Sequence, residues 1–329
     1  MTTCFRYSSR LNSFNSRPDL FAWQYQPSDV RDLIRRVGQV GRLDSLDLNY
    51  PEHFDHVSVD QIESAIKATH LKLNGINMRY PEREFYYGAF TNPDPEKRRS
   101  AIRLTQKAAD VCRQMGGSHL VLWLGYDGFD YPFQLDYAQA WEWEIAGIQE
   151  VADYAKDLKV SIEYKLADPR RFSLLGNLGI TLQAINECQR PNLGVTLDFC
   201  HLLMADENPA MSAALSARLG KLFGIHLNDG FGSFDDGLMV GSINFFQTLE
   251  LFYYITQSNY CDVIYFDTFP NHEDPVKECL NNIQRVDQFV EIVDQLKRRN
   301  IQVPISQQDG LQVSQLVWEA SVCQLANIA

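Results

Sequence analysis

Residues 119–165 read HLVLWLGYDGFDYPFQLDYAQAWEWEIAGIQEVADYAKDLKVSIEYK. The apolar run HLVLWLG has the length and side-chain character of a buried strand, YAQAWEWEIAGIQEVADYAKDLK repeats its apolar positions at helical spacing, and VSIEYK is again a strand. This order predicts a strand, a crossover helix and a second, parallel strand. The second strand ends oddly. Glu163 and Lys165 are two apart and point to one side of the ribbon. Burying either charge unpaired would be costly, so something must compensate them. The same alternation extends in both directions. Strand-like runs occur at TCFRY near residue 3, LDSLDL at 43, LKLNGINM at 71, LGVTLDF at 193, LFGIHLN at 222 and DVIYFDTF at 262. Between them lie amphipathic stretches such as DVRDLIRRVGQV, DPEKRRSAIRLTQKAADVCRQMGG and PVKECLNNIQRVDQFVEIVDQLKRRN. No Gly-x-Gly-x-x-Gly follows any of the strands, and eight strand–helix units predict one closed (β/α)8 barrel rather than a doubly wound sheet. The barrel is expected over residues 1–300. A C-terminal helical extension over 301–329, with its stripe of Leu311, Leu316, Val317, Ala320 and Val322, is expected to pack on the barrel or on a second subunit.

The bulk composition agrees with a globular chain of this size. Of 329 residues, 45% are hydrophobic and 22% charged, and no stretch approaches the length of a membrane span. The net charge of -12 argues against a nucleic-acid partner and for cations as guests. The seven cysteines (Cys4, Cys112, Cys188, Cys200, Cys261, Cys279 and Cys323) include no CxxC pair. They predict reduced, mostly buried thiols in a cytoplasmic chain. The N-terminal MTTCFRYSSR lacks the apolar core of a secretory signal.

In such a barrel the C-terminal strand ends form the active face. The last four strands all place ionisable groups there: Glu163 and Lys165, Asp198 and His201, His226 and Asp229, and Asp267. Each residue alone could be a helix cap or a satisfied core group. Together they bring several anions to one level of the barrel, and a divalent cation would relieve that repulsion. Glu163, Asp198, His226 and Asp267 make an oxygen-rich shell with one nitrogen, suited to Mn²⁺, Mg²⁺ or Co²⁺.

These motifs, in this order, resemble those of the xylose-isomerase-like barrels, and among them the L-rhamnose isomerase branch of aldose-ketose isomerases. IEYK is similar to the family's Glu-x-Lys, which implies that Glu163 is a metal ligand and that Lys165 touches the substrate oxygen. LDFCH resembles Asp-x-x-His, implying that Asp198 bridges two metals and His201 holds the second. IHLND places His226 where rhamnose-type isomerases have a histidine ligand, and YFDTF supplies Asp267 as the last ligand of the first metal. LVLWLGYDG resembles the segment whose tryptophan, here Trp123, walls the sugar pocket. The resemblance implies a TIM barrel binding one or two divalent ions, with Mn²⁺ foremost, a small sugar substrate and a homo-oligomer, dimer or tetramer. The catalytic set it implies is Lys165, Asp198, His201 and Asp267.

The chain departs from the family pattern in two places. Where the family has Asp-x-Asp-Leu after strand seven, this chain reads FDDGLMVG, leaving Asp235 or Asp236 to face the second metal and Gly237 in place of an aspartate. Where xylose isomerases carry a ring-opening histidine, GINMRYPE offers Asn77 and Arg79 as substrate contacts instead. Tyr126, Phe129 and Tyr131 are expected either to line the pocket or to pack within a long loop. Arg10 is a candidate substrate contact, and His53, His56 and His70 read as ordinary surface or core histidines. The expected activity is interconversion of an unphosphorylated aldose and its ketose. The alternatives are a ketose 3-epimerase or dehydratase on the same barrel, an apurinic endonuclease, and a non-catalytic sugar or metal binder. Asp267 and Lys165 favour the isomerase over the epimerase, and the acidic charge speaks against DNA.

Overall fold

A computed structural model describes residues 4–20 and 29–326. The eight runs form eight strands: β1 (Arg6–Ser9), β2 (Ser45–Tyr50), β3 (Lys72–Met78), β4 (His119–Leu122), β5 (Lys159–Glu163), β6 (Leu193–Asp198), β7 (Leu222–Leu227) and β8 (Val263–Phe266). Consecutive strands from β2 to β8 pair in parallel, and β1 pairs with β8 from Arg6 opposite Val263 to Ser9 opposite Phe266. A parallel bridge between Arg10 and Asp47 joins β1 to β2 and closes the ring. Strand and helix alternate as α1 (Val30–Gly38), α2 (Val59–Lys67), α3 (Pro95–Gln114), α4 (Tyr137–Tyr154), α5 (Leu178–Cys188), α6 (Pro209–Arg218), α7 (Phe245–Gln257) and α8 (Pro275–Arg298). The chain is a single (β/α)8 barrel.

Local chemistry sets the helix starts. Asp94, Asn208 and Asp274 each stand before a proline, and each caps the following turn by accepting a backbone N–H while the proline fixes the first helical φ. The helices bury their apolar faces on the outside of the barrel, as Val286, Phe289 and Val293 of α8 do. The barrel interior is polar in its lower part. His119 shares a hydrogen bond with Ser161 Oγ at 2.7 Å, Ser161 meets Thr196 at 2.6 Å, and Asn74 donates to Asp47 at 2.9 Å. Space there is tight: a Cβ at Gly224 would come 2.5 Å from Thr196 Oγ1.

The helix Gly310–Ala326 lies on α8, with Ala320 fully buried and Val313, Leu316 and Val317 packed on the core, while Leu311 and Val322 remain exposed. Residues 327–329 of the extension lie outside the described residues. No helix of the described residues is long and apolar enough to cross a membrane.

The cysteine expectation needs correction. Cys4 and Cys261 form a disulfide that ties the chain before β1 to the chain before β8. Their sequence separation of 257 hid the pairing, because only barrel closure brings the first and last strands side by side. Cys112, Cys188, Cys200 and Cys279 are free and buried, as expected, and the side chain of Cys323 lies outside the described residues.

Candidate metal centre and sugar pocket

The C-terminal strand ends surround a pocket of about 440 Å³. Glu163 ends β5, Asp198 ends β6, His226 lies in β7 and Asp267 follows β8. All four are buried, and each offers a ligand atom within 4.8 Å of the others. Asp198, His201 and Asp235 form a second group at the same spacing, so Asp198 belongs to both. The short helix Phe199–Met204 makes this sharing possible. Asp198 caps it by accepting from the backbone N–H of His201 at 3.0 Å, which brings the imidazole back beside the carboxylate that opens the turn.

The electrostatics are those of crowded anions. His226 Nδ1 lies 3.2 Å from Glu163 Oε1 and 4.0 Å from Asp267 Oδ2, while His201 Nε2 lies 3.2 Å from Asp235 Oδ2. Burial and the neighbouring carboxylates push Asp198 up to about 7, although His201 opposes the shift. Burial pulls both imidazoles down, yet Asp198 and Asp235 hold His201 up, to about 9, and Glu163 with Asp267 holds His226 above its ordinary value. Glu163 Oε2, Asp235 Oδ1 and the Nδ1 atoms of His201 and His226 are buried without a hydrogen-bond partner. Such atoms are costly unless something electropositive meets them. These donors therefore fit divalent cations.

Lys165 is not the partner of Glu163. Its Nζ lies 3.0 Å from Asp168 Oδ2 and 3.2 Å from Asp235 Oδ2, and 6.0 Å from the Trp123 ring centroid. Burial lowers its proton affinity, but Asp235 and Asp168 outweigh that and keep it charged. Trp123, Tyr126 and Arg79 line the pocket, with the Arg79 guanidinium 5.1 Å over the Trp123 ring. Arg10 lines it too, 3.3 Å from Asp267 and 4.6 Å over Phe269.

Several expectations change. Asp235 reaches the second ligand group, whereas Asp236 turns away and accepts from the Phe231 N–H at 2.7 Å. Gly237 explains the departure from the family motif. Its φ is +59°, and a Cβ there would stand 2.3 Å from the Phe269 ring that supports Arg10, so an aspartate does not fit. Asn77 does not line the pocket; it is buried, with both amide atoms unpartnered. Asp229 is a loop tie, accepting from the backbone of Gly230, Ile243 and Asn244. Phe129 packs against Tyr137 and Phe172 away from the site, and Tyr131 is exposed. His56 is exposed and His70 contacts the Leu43 carbonyl, while His53 belongs to a network beside the pocket. Asn12, Asn49, Glu52 and Asp168 also line the pocket, although no sequence motif singles them out. For Asp168 the spacing alone is a signal, since it follows Lys165 by three residues.

Comparison with known proteins agrees with this fold. A model of the xylose isomerase-like TIM barrel matches residues 43–288. Xylose isomerase of Thermus thermophilus is 29% identical over 224 residues, covering 66% of this chain and 58% of that protein. That of Thermus caldophilus is 27% identical over 64% of this chain and 56% of its own length. The chain thus spans little more than half of these curated relatives. Among solved structures, D-allulose 3-epimerase from Methylomonas sp. superposes with a TM-score of 0.68 at 17% identity, covering 87% of this chain and 98% of that one. 3-Keto-D-glucoside 4-epimerase from E. coli gives 0.61 at 15% identity, over 87% of this chain and 99% of its own. The chain belongs to the xylose isomerase-like TIM barrel family.

Proposed function

We propose that the protein is a divalent-metal-dependent sugar isomerase of the aldose-ketose type, acting on an unphosphorylated sugar as in the rhamnose-type branch. The observation that carries this reading is the pair of ligand groups sharing Asp198, with Lys165 held beside the second of them by Asp235. A second ligand group beside the first favours a two-ion isomerase over an epimerase that uses one ion. Glu163, Asp198, His226 and Asp267 would hold one ion and Asp198, His201 and Asp235 the other. Such ions supply fixed positive charge that polarises a carbonyl and acidifies a neighbouring hydroxyl.

The protein's own groups orient the reaction. Lys165 holds a proton at Nζ against the substrate oxygen at the reacting end, where negative charge develops as hydrogen passes between C2 and C1. Asp168 and Asp235 fix that ammonium from two sides. Trp123 closes one wall with its apolar ring and keeps water from the reacting carbons, and Arg79 stacked on it extends the wall. The test is incubation of the Mn²⁺- or Co²⁺-loaded protein with pentoses, hexoses and 6-deoxyhexoses, followed by NMR. Conversion between C1 aldehyde and C2 ketone is the expected result. Inversion at C3 without aldose formation would establish the epimerase instead, and no change in any sugar would sink both.

A further inference from the structure

The side of the pocket away from the ligand groups is built by the chain after β1, β2 and β3. Strands two and six are four apart in a ring of eight, so Glu52, just after β2, lines the pocket across the barrel axis from Asp198. A closed set of hydrogen bonds determines how its carboxylate is presented. The Asn49 backbone N–H donates to His53 Nδ1 at 2.9 Å. A ring nitrogen that accepts carries no proton, so in the neutral ring Nε2 bears it and donates to Asn12 Oδ1 at 2.6 Å. The Asn12 amide is thereby oriented with its NH₂ toward Glu52, donating to Oε1 at 2.7 Å, and Asn49 Nδ2 donates to Oε2 at 2.9 Å. Burial keeps the His53 ring neutral, against the pull of Glu52.

Every link in this set ends on Glu52. The carboxylate caps no helix, and among the described residues no lysine or arginine nitrogen forms an ion pair with it. Each oxygen receives one amide and keeps further lone pairs for the pocket. Arg79 stands near enough to help hold it ionised. A carboxylate fixed in this way accepts hydroxyl groups.

We propose that Glu52 is the specificity-determining acceptor for hydroxyl groups at the end of a neutral sugar remote from Lys165. This rests on the isomerase reading for the substrate class. The test compares wild type, Glu52→Gln and Glu52→Ala, all Mn²⁺-loaded, on L-mannose against its 6-deoxy form L-rhamnose and on D-allose against 6-deoxy-D-allose. Loss of a charged acceptor should raise KM for the hydroxylated sugar by about tenfold or more, with little change in kcat. The deoxy partner should be much less affected. A structural role would scale both sugars of a pair alike, and that result overturns the proposal.

Calorimetric binding of the same sugars separates this inference from the isomerase reading. Hydroxyl-selective binding that is lost in Glu52→Gln, without interconversion by wild type, keeps Glu52 and overturns the isomerase. Interconversion without Glu52-dependent selectivity overturns Glu52 alone. Neither binding nor interconversion overturns both.

Discussion

Replacing Lys165 by methionine separates a structural lysine from one that acts on substrate. The side chain is buried, and methionine matches its length without its charge. Its two partners differ in exposure: the Asp168 side chain is 75% exposed and that of Asp235 19%. Water can take over Asp168, so that ion pair is worth about 0–1 kcal/mol. Asp235 keeps His201 Nε2 at 3.2 Å, and a bound cation would neutralise it further. The stability loss should therefore stay near ~1–2 kcal/mol, well below the ~3–5 kcal/mol of a buried pair broken with nothing to compensate. Catalysis should respond differently. An ammonium beside the developing oxyanion interacts more with the transition state than with the neutral sugar, so kcat should fall at least ~100-fold, which corresponds to ~2.7 kcal/mol. The assay is thermal unfolding in saturating Mn²⁺, together with NMR-followed turnover of the best sugar in the panel. A variant that unfolds although metal is bound, or one that turns over at the wild-type rate, would refute the reasoning.

Three other outcomes are expected. His201→Ala should leave the Glu163, Asp198, His226 and Asp267 group able to bind an ion while removing the second, so the Mn²⁺ stoichiometry measured by calorimetry should drop from two to one; an unchanged count would deny His201 a ligand role. Asp235→Asn should lower activity by at least about tenfold and Asp236→Asn should scarcely alter it, because only Asp235 faces the ligand group; equal effects in a turnover assay would contradict the observed loop geometry. Buried Glu278, hydrogen-bonded to Asn282 and Thr268, is pushed by burial from 4.5 up to about 7. A carboxyl raised in the folded state stabilises fully below its unfolded value, and that stability is lost as pH rises through the folded one. Its share is about 3 kcal/mol, from roughly 2.5 pK units at 1.36 kcal/mol each. Thermal unfolding from pH 4 to 8 should show Glu278→Gln with a flatter profile than wild type; parallel profiles would show that Glu278 does not titrate in this window.

The barrel and the set of groups at its mouth are legible in the order of residues along the chain. The strands are short apolar runs separated by helical repeats, a signal local to each segment, and barrel closure follows from their number and the absence of an alternative motif. Glu163, Asp198, His226 and Asp267 were legible because each stands at or beside the C-terminal end of a strand, and a barrel must bring equal levels together. Tertiary structure alone decided the rest. Asp235 and Asp236 are neighbours of the same type, and only the positive φ at Gly237 with the Phe269 ring against it shows how the loop turns. Cys4 and Cys261 meet because closure joins the first and last strands, a contact with no local signature. Asn77 lies within β3 and Arg79 just past its end, and Asn77 is sealed off while Arg79 reaches the pocket, a difference of depth that strand alternation does not encode. The Asn12, Asn49, Glu52 and His53 network unites two loops through hydrogen bonds whose polarity depends on which atom meets which. Side-chain periodicity carries direction within one element; distances between elements arise only when the whole ring has closed.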